Sequence, residues 1–406
     1  MKDVENSRTK LVNYDFFDGF TLAAILILSA IGVLMVFSIT GTSIFNNSAG
    51  DRLSYMMHSA TGVVLGFIAM VIMAITPNKL FRGRLGFLIL LGTIAILVIT
   101  PIWGQDVPSS PDVNRWLAIG PITFQAVDIA RIGFTLSLPW IIQWLIDKRI
   151  YYSKKVLSLY WLVPLVYVLL CTVLIIRQPD LGSSIVIFLT GMIVFFSSGI
   201  HIKQIMSLLI PATMAIILIA VLGVYFLDLA PYQRDRIQVW VDPFNHANGH
   251  QIVMGFISIA LGGWTGVGLG QSTQALGFAI EPHTDLIVTI LSEELGLIAV
   301  IVVMFLYFSI AFKCFFTALK ARDVFSALIC IGIGSFFLTQ PLVNLGGVSG
   351  VIPLSGITLP LISYGMTSKV STFILIGIYF NMRRYILIDI EKTKEEDKKD
   401  YAEELF

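Results

Sequence analysis

Ten stretches of about twenty mainly apolar residues recur along the chain, at 18–40, 56–76, 84–103, 124–146, 157–176, 182–200, 205–229, 284–312, 324–344 and 363–382. An α-helix rises about 1.5 Å per residue, so roughly 20 residues cross the ~30 Å of bilayer hydrocarbon. In that medium every backbone N–H and C=O must be satisfied internally, which a helix does within a single segment. The sequence therefore predicts an all-α polytopic membrane protein with about ten transmembrane helices. Charged residues make up 13% of the chain, against about 25% in soluble domains, and no polar, periodic stretch could build a separate domain. The expected organisation is one transmembrane domain over 1–390 and a charged tail over 391–406, solvated and mobile, where Lys alternates with Glu and Asp. The first apolar run is not followed by a small-residue cleavage pattern and should remain as an anchor.

Lys and Arg accumulate in cytoplasmic connections. With the N-terminus inside, twenty of the 27 Lys and Arg fall in inner segments and five fall outside: Arg52, Arg115, Arg177, Arg234 and Arg236. Arg131 and Lys369 lie within spans. Both termini are thus expected in the cytoplasm, with two long connections, 104–123 and 230–283, outside. The larger, between spans seven and eight, is partly apolar (Ile252 to Leu261) and rich in glycine (Gly262, Gly263, Gly266, Gly268, Gly270), so it should be a partly structured extracellular loop. A net charge of +1 supplies no field for nucleic acid, and no such partner is expected. Cys171, Cys314 and Cys330 sit inside apolar runs without metal-ligand spacing and should be packing residues.

Ionisable side chains inside a bilayer cost a few kcal/mol or more, so each is a candidate functional group. Asp128 and Arg131, three apart on one face of the fourth span, suit a neutralising pair, structural or functional. Glu293 and Glu294 point about 100° apart, so at most one faces a given cavity; the other should pair with a cation such as Lys369 or Arg131. Lys369 itself reads as a snorkelling residue or a counter-ion. Asp180 opens the sixth span and Asp285 the eighth, and from spacing a helix cap and a poised carboxylate look alike. Arg234 and Arg236 flank Asp235 in the large outer loop; guanidinium forks suit phosphate oxygens, although surface salt bridges would look the same. His246, His250 and His283 share that region without metal-ligand spacing, and no metal site is assigned. An outward-facing site for an amphipathic substrate with an anionic head group is as far as these residues reach.

Read together, several motifs are more specific. Asn114-Arg115-Trp116-Leu117 through Phe124-Gln125, Gln178-Pro179-Asp180-Leu181-Gly182, Tyr232-Gln233-Arg234-Asp235-Arg236 with Asp242-Pro243, and Gly262-Gly263 through Gly270 follow one another in order. Glu281-Pro282-His283-Thr284-Asp285 with Glu293-Glu294-Leu295-Gly296, and Pro353 to Gly365, complete the set. The chain resembles the SEDS family of FtsW, RodA and SpoVE over nearly its whole length, leaning towards FtsW. The resemblance implies a peptidoglycan glycosyltransferase of the bacterial cytoplasmic membrane that polymerises lipid II on the outer face, in cell division or cell-shape maintenance. A class B penicillin-binding transpeptidase and membrane lipids would be its partners. It implies that Asp285 is the catalytic aspartate. Arg234, Arg236, His283, Arg115, Trp116, Arg131, Asp128, Glu294, Gln178 and Asp180 are then the candidate substrate-binding residues. A divalent cation is an open expectation, with no ligand set visible. The chain departs from the family at Ala126-Val127-Asp128 and Arg131, where Pro-Ser-Glu or Pro-Ala-Glu and Lys are usual, and at Met366-Thr367-Ser368 with Lys369, where Gly-Ser-Ser is usual.

As a mechanism, a carboxylate acting as general base would activate a sugar hydroxyl, and the departing diphosphate needs no acid, so no carboxylate pair is required. Two other classes stay open: a transporter or flippase for the lipid-linked precursor, which Asp128, Arg131 and Glu294 also fit, and a non-enzymatic scaffold for the transpeptidase.

Overall fold

The computed structural model describes residues 17–42, 49–107, 110–119, 122–151, 159–200, 231–246, 249–273 and 284–403. In chain order the elements are α1 (Gly19–Thr42), α2 (Ala49–Ile75), α3 (Arg84–Trp103), β1 (Gln105–Val107), β2 (Ser110–Ile119), β3 (Ile122–Gln125), α4 (Ala126–Asp147), α5 (Val163–Ile176) and α6 (Leu181–Phe196). They continue with α7 (Pro231–Val241), α8 (His250–Gly262), α9 (Ile287–Ala318), α10 (Val324–Val348) and α11 (Met366–Glu403). Helices α1, α2, α3, α4, α9 and α10 are long and apolar enough to cross a membrane, and α5, α6 and α8 are shorter apolar helices. The chain is a mostly helical, polytopic membrane protein. The expected seventh span, 205–229, lies outside the described residues.

Two buried clusters form the core. One joins α1, α9, α10 and α11 through residues such as Ile25, Met35, Tyr307, Phe336 and Phe373. The other joins α3, α4, α5 and α6 through Leu97, Phe134, Val168 and Phe195. The outward sides stay apolar, as at Ile68, Leu88, Val166 and Phe305, which is what helices facing lipid rather than water require.

Two features differ from a bundle of plain helices. The connection after α3, expected on the outer side, is an antiparallel sheet of order β1-β2-β3, with Trp116 opposite both Gln105 and Gln125. Beyond the hydrocarbon a strand can pair with its neighbours in sequence, and Ile122 and Thr123 are β-branched. The tail is not coil: α11 runs through residue 390 to Glu403, with residues 394–397 exposed. Glu391 and Lys394, three apart with the acid first, are spaced to support such a solvated helix.

Two non-helical breaks are closed by neighbouring parts of the chain, one by backbone and one by side chains. Helix α9 is interrupted at Gly296 (φ 80°, ψ 171°), a conformation essentially restricted to glycine. The glycine-rich segment after α8 docks there. Val267 and Gly268 amides donate to the carbonyls of Glu293 and Glu294 at 2.9 Å, and the Leu297 amide donates to Gly263 O at 2.9 Å. The second break is the non-helical segment between α10 and α11, residues 349–365, buried from Leu359 to Ser363. Its carbonyls are taken up by side chains: Leu354 O by Arg236, Ile357 O by Asn344, Thr358 O by Gln340 and Pro360 O by Tyr307. Buried irregular backbone needs its polar groups satisfied in this way.

Candidate functional site

Asp285 stands in a turn just before α9, half-buried, and its Oδ1 accepts from the Thr284 hydroxyl at 3.1 Å. The cap of α9 is Leu286, which makes no side-chain cap bond, so the carboxyl group lies one residue ahead of the position from which it would cap the helix. Arg236 reaches over from α7 and anchors itself by donating from Nη1 to Leu354 O at 2.8 Å. The two charges meet at Gly356. A Cβ built there would lie 3.4 Å from Nη2 of Arg236 and 3.8 Å from Oδ2 of Asp285. Gly356 has φ 66°, so glycine serves twice, by accepting the left-handed backbone and by leaving the space between carboxylate and guanidinium open.

The loop carrying Asp285 is pinned to segment 349–365 on both sides. Ser363 Oγ donates to Thr284 O at 2.6 Å and accepts from the Leu359 amide at 2.8 Å. Asn344 Nδ2 donates to Asp285 O at 2.9 Å and to Ile357 O at 2.6 Å. Neither residue stands out by charge; the available signal was an amide in the apolar run of α10 and a serine in the loop that follows.

A second polar group lies on the other side of the same segment. Gly182, near the start of α6, packs so close to it that a Cβ would fall 2.6 Å from Ser355 O. Two residues earlier, Asp180 caps α6 by accepting from the Ser183 amide at 3.0 Å, while its other oxygen accepts from Gln125 Nε2 at 3.0 Å. Asp128 pairs with Arg131 at 3.5 Å and accepts from the Thr367 hydroxyl at 3.2 Å. The Arg131 guanidinium covers the Phe336 ring, 4.5 Å from its centroid. Asp128, Arg131 and Asp180 are 3%, 4% and 2% exposed. Buried charges need partners: Asp128 takes the Arg131 guanidinium, and Asp180 takes the Ser183 amide and Gln125.

The other expected site residues are placed apart. Gln178 is buried and donates to Leu97 O at 3.0 Å. Arg115 and Trp116 are half-buried on β2, and Trp116 faces Gln125 in register. Glu294 accepts twice from the Ser38 hydroxyl, at 2.9 and 2.7 Å, and Ser38 Oγ in turn accepts from the Gly270 amide at 2.9 Å. Glu293 accepts from Ser272 Oγ at 2.6 Å and from the Thr273 amide and hydroxyl at 2.8 and 2.9 Å. Among the described residues the cation expected beside one glutamate is therefore replaced by the Ser38 hydroxyl of α1 and by hydroxyls and an amide of the glycine-rich loop. Lys369 is 1% exposed and donates to the Ser59 hydroxyl; it forms no ion pair among the described residues. His283 and the side chain of Arg234 lie outside the described residues. No group of three His, Cys, Asp or Glu side chains among the described residues could hold a metal. A cavity of about 380 Å³ beside α7 is lined by Ile237, Gln238, Val241, Asp242, Asn245 and His246, and includes neither Asp285 nor Arg236.

The family model of FtsW, RodA and SpoVE, described as a cell cycle protein, matches residues 20–386. The chain is 31% identical over 393 residues to the probable peptidoglycan glycosyltransferase FtsW of Bacillus subtilis, covering 94% of each chain. It is 30% identical over 368 residues to the same-named protein of Coxiella burnetii, covering 89% of this chain and 95% of that one. Among solved structures, a chain of a peptidoglycan synthase complex coordinating polymerization and crosslinking matches with a TM-score of 0.73 at 22% identity. The match covers 92% of this chain and 99% of the other. The rod shape determining protein RodA of Thermus thermophilus matches with a TM-score of 0.62 at 18% identity, covering 92% and 98%. These two share the fold.

Proposed function

The chain belongs to the FtsW, RodA and SpoVE family, and from that premise we propose that it is a peptidoglycan glycosyltransferase that polymerises lipid II at the outer face of the cytoplasmic membrane. Asp285 is the general base. The 4-hydroxyl of one lipid-linked disaccharide attacks the anomeric carbon of another. The O–H proton passes to the Asp285 carboxylate, the new C–O bond forms, and the old bond's electron pair leaves with polyprenyl diphosphate. No acid is needed for that leaving group, which is already anionic and stable. Arg236, with Arg234 two residues earlier on α7, stabilises the charge growing on the diphosphate. The observation that carries this reading is the convergence of carboxylate and guanidinium on Gly356, on a segment whose carbonyls are bonded by side chains of three helices.

The same reading places both termini inside, counts ten spans, and pairs the chain with a class B penicillin-binding transpeptidase. The name its curated relatives share, and the motif around Gly270-Gln271-Ser272, favour a role in division over one in elongation.

Asp285→Asn keeps the shape of the side chain and removes the base. Purified in detergent and supplied with lipid II, this variant should lose about 10²-fold or more of its rate of glycan-strand synthesis, with thermal stability unchanged. Undiminished synthesis by a folded variant removes the assignment. Detergent also separates polymerisation from flipping, since it offers no second leaflet; a wild-type protein that makes no polymer there, alone or with its transpeptidase, would favour the transporter.

A further inference from the structure

Helix α10 carries two amides near its outer end, Gln340 and Asn344, four residues apart and therefore on one face. Both donate to main-chain carbonyls of segment 349–365, Gln340 to Thr358 O at 2.5 Å and Asn344 to Ile357 O at 2.6 Å. Asn344 does one thing more. The second hydrogen of its –NH2 group goes to the main-chain carbonyl of Asp285 at 2.9 Å. Both hydrogens are committed, one to the residue bearing the carboxylate and one to the residue next to Gly356, where that carboxylate meets Arg236.

We infer that Asn344 is the positioning residue for Asp285, its carboxamide setting where the carboxylate stands relative to the Gly356 and Arg236 side of the site. The inference rests on the reading of Asp285 as general base. Packing alone gives no reason for an amide here. Asn344 is 2% exposed, and its Oδ1 has no hydrogen-bond partner among the described residues. A leucine would avoid burying that unpaired acceptor, so the donor group is what the position requires. Asp285 also needs external positioning, because it sits in a turn ahead of α9 rather than in the helix. A base must stand within hydrogen-bond reach of the proton it takes, and a misplacement of about 1 Å costs on the order of 10²-fold in rate.

The test compares three substitutions in the full-length purified protein: Asn344→Asp, Gln340→Glu and Asp285→Asn. The first keeps the shape of the side chain and removes both donors. The second removes the donor to the same segment without touching Asp285. Initial rates of strand synthesis are measured against lipid II concentration, alongside thermal stability. For Asn344→Asp, kcat should fall about 10- to 100-fold with KM for lipid II within threefold. Gln340→Glu should lower stability while keeping kcat within threefold. If Asn344→Asp does not survive purification, Asn344→Gln carries the same comparison, since it keeps the amide but displaces it by one methylene. A folded Asn344 variant with kcat within twofold of the parent overturns the inference, as does a Gln340→Glu variant losing as much kcat as Asn344→Asp. Asp285→Asn separates the two levels: if it stays active the general-base reading fails, whereas an inactive Asp285→Asn beside an unaffected Asn344 variant sinks only the positioning role.

Discussion

Gln178 owes its place to a proline in another helix. Pro101 lies inside α3 and has no amide hydrogen, so it cannot bond the carbonyl of Leu97 four residues earlier. Gln178 Nε2 supplies the missing donor. Gln178→Leu should therefore cost about 1–3 kcal/mol, read as a lower melting temperature in detergent. In a Pro101→Ala background, where the backbone amide returns, the same change should cost well under half as much; an equal cost in both backgrounds would refute this account. Residues of this kind show the limit of sequence reading at this scale. The Asp128 and Arg131 pair was legible because both partners lie on one helix three residues apart. The partners of Glu293 and Glu294 were not, because Ser272, Thr273 and Ser38 come from a loop and from the first span, and hydroxyls carry no charge to flag them. Asn344 escaped notice for the same reason.

At the scale of elements, hydropathy locates helices and is blind to their interruptions. The run from 284 to 312 reads as one apolar segment, yet α9 changes direction at Gly296 because the segment after α8 inserts its backbone there. A β-carbon at Gly296 would collide with the Trp264 carbonyl and the Gly266 amide, and the φ/ψ values exclude ordinary side chains. Gly296→Ala should accordingly destabilise the protein by at least about 3 kcal/mol, far beyond the effect of Gly→Ala in a plain helix, where alanine is the better helix former. Size-exclusion profiles and thermal melts measure this; a variant as stable as the parent would mean that the break does not depend on glycine. The sheet of β1 to β3 and the helical tail were missed for a related reason. Charge and apolarity mark where a segment sits relative to the membrane, and leave open which hydrogen-bonding pattern it adopts outside it.

For the whole molecule, the proposal stands or falls with orientation. Several of the cations expected on the inner side are part of the bundle's end, not loose in the connections. Arg82 pairs with Asp323 and lies over the rings of Phe325 and Tyr385, 4.8 and 5.5 Å from their centroids. Lys313 and Arg383 approach Asp18 at 3.4 and 3.9 Å. Ion pairs this exposed add at most about 1 kcal/mol each to stability, so they do not hold the fold together. In the proposed orientation their weight is in topology, since Lys and Arg near span ends resist translocation and would keep this end of α1, α9, α10 and α11 in the cytoplasm. Asp285 precedes α9, and Lys313 lies near that helix's far end, so a cytoplasmic Lys313 puts the carboxylate on the outer side. The native cysteines are buried, which makes single-cysteine labelling clean. Asn245→Cys, on the exposed turn after α7, should react with a membrane-impermeant maleimide in intact cells. Lys320→Cys, exposed just past α9, should react only after permeabilisation. The reverse pattern would put Asp285 and Arg236 against the cytoplasm and leave no outward site at which a glycan strand could grow.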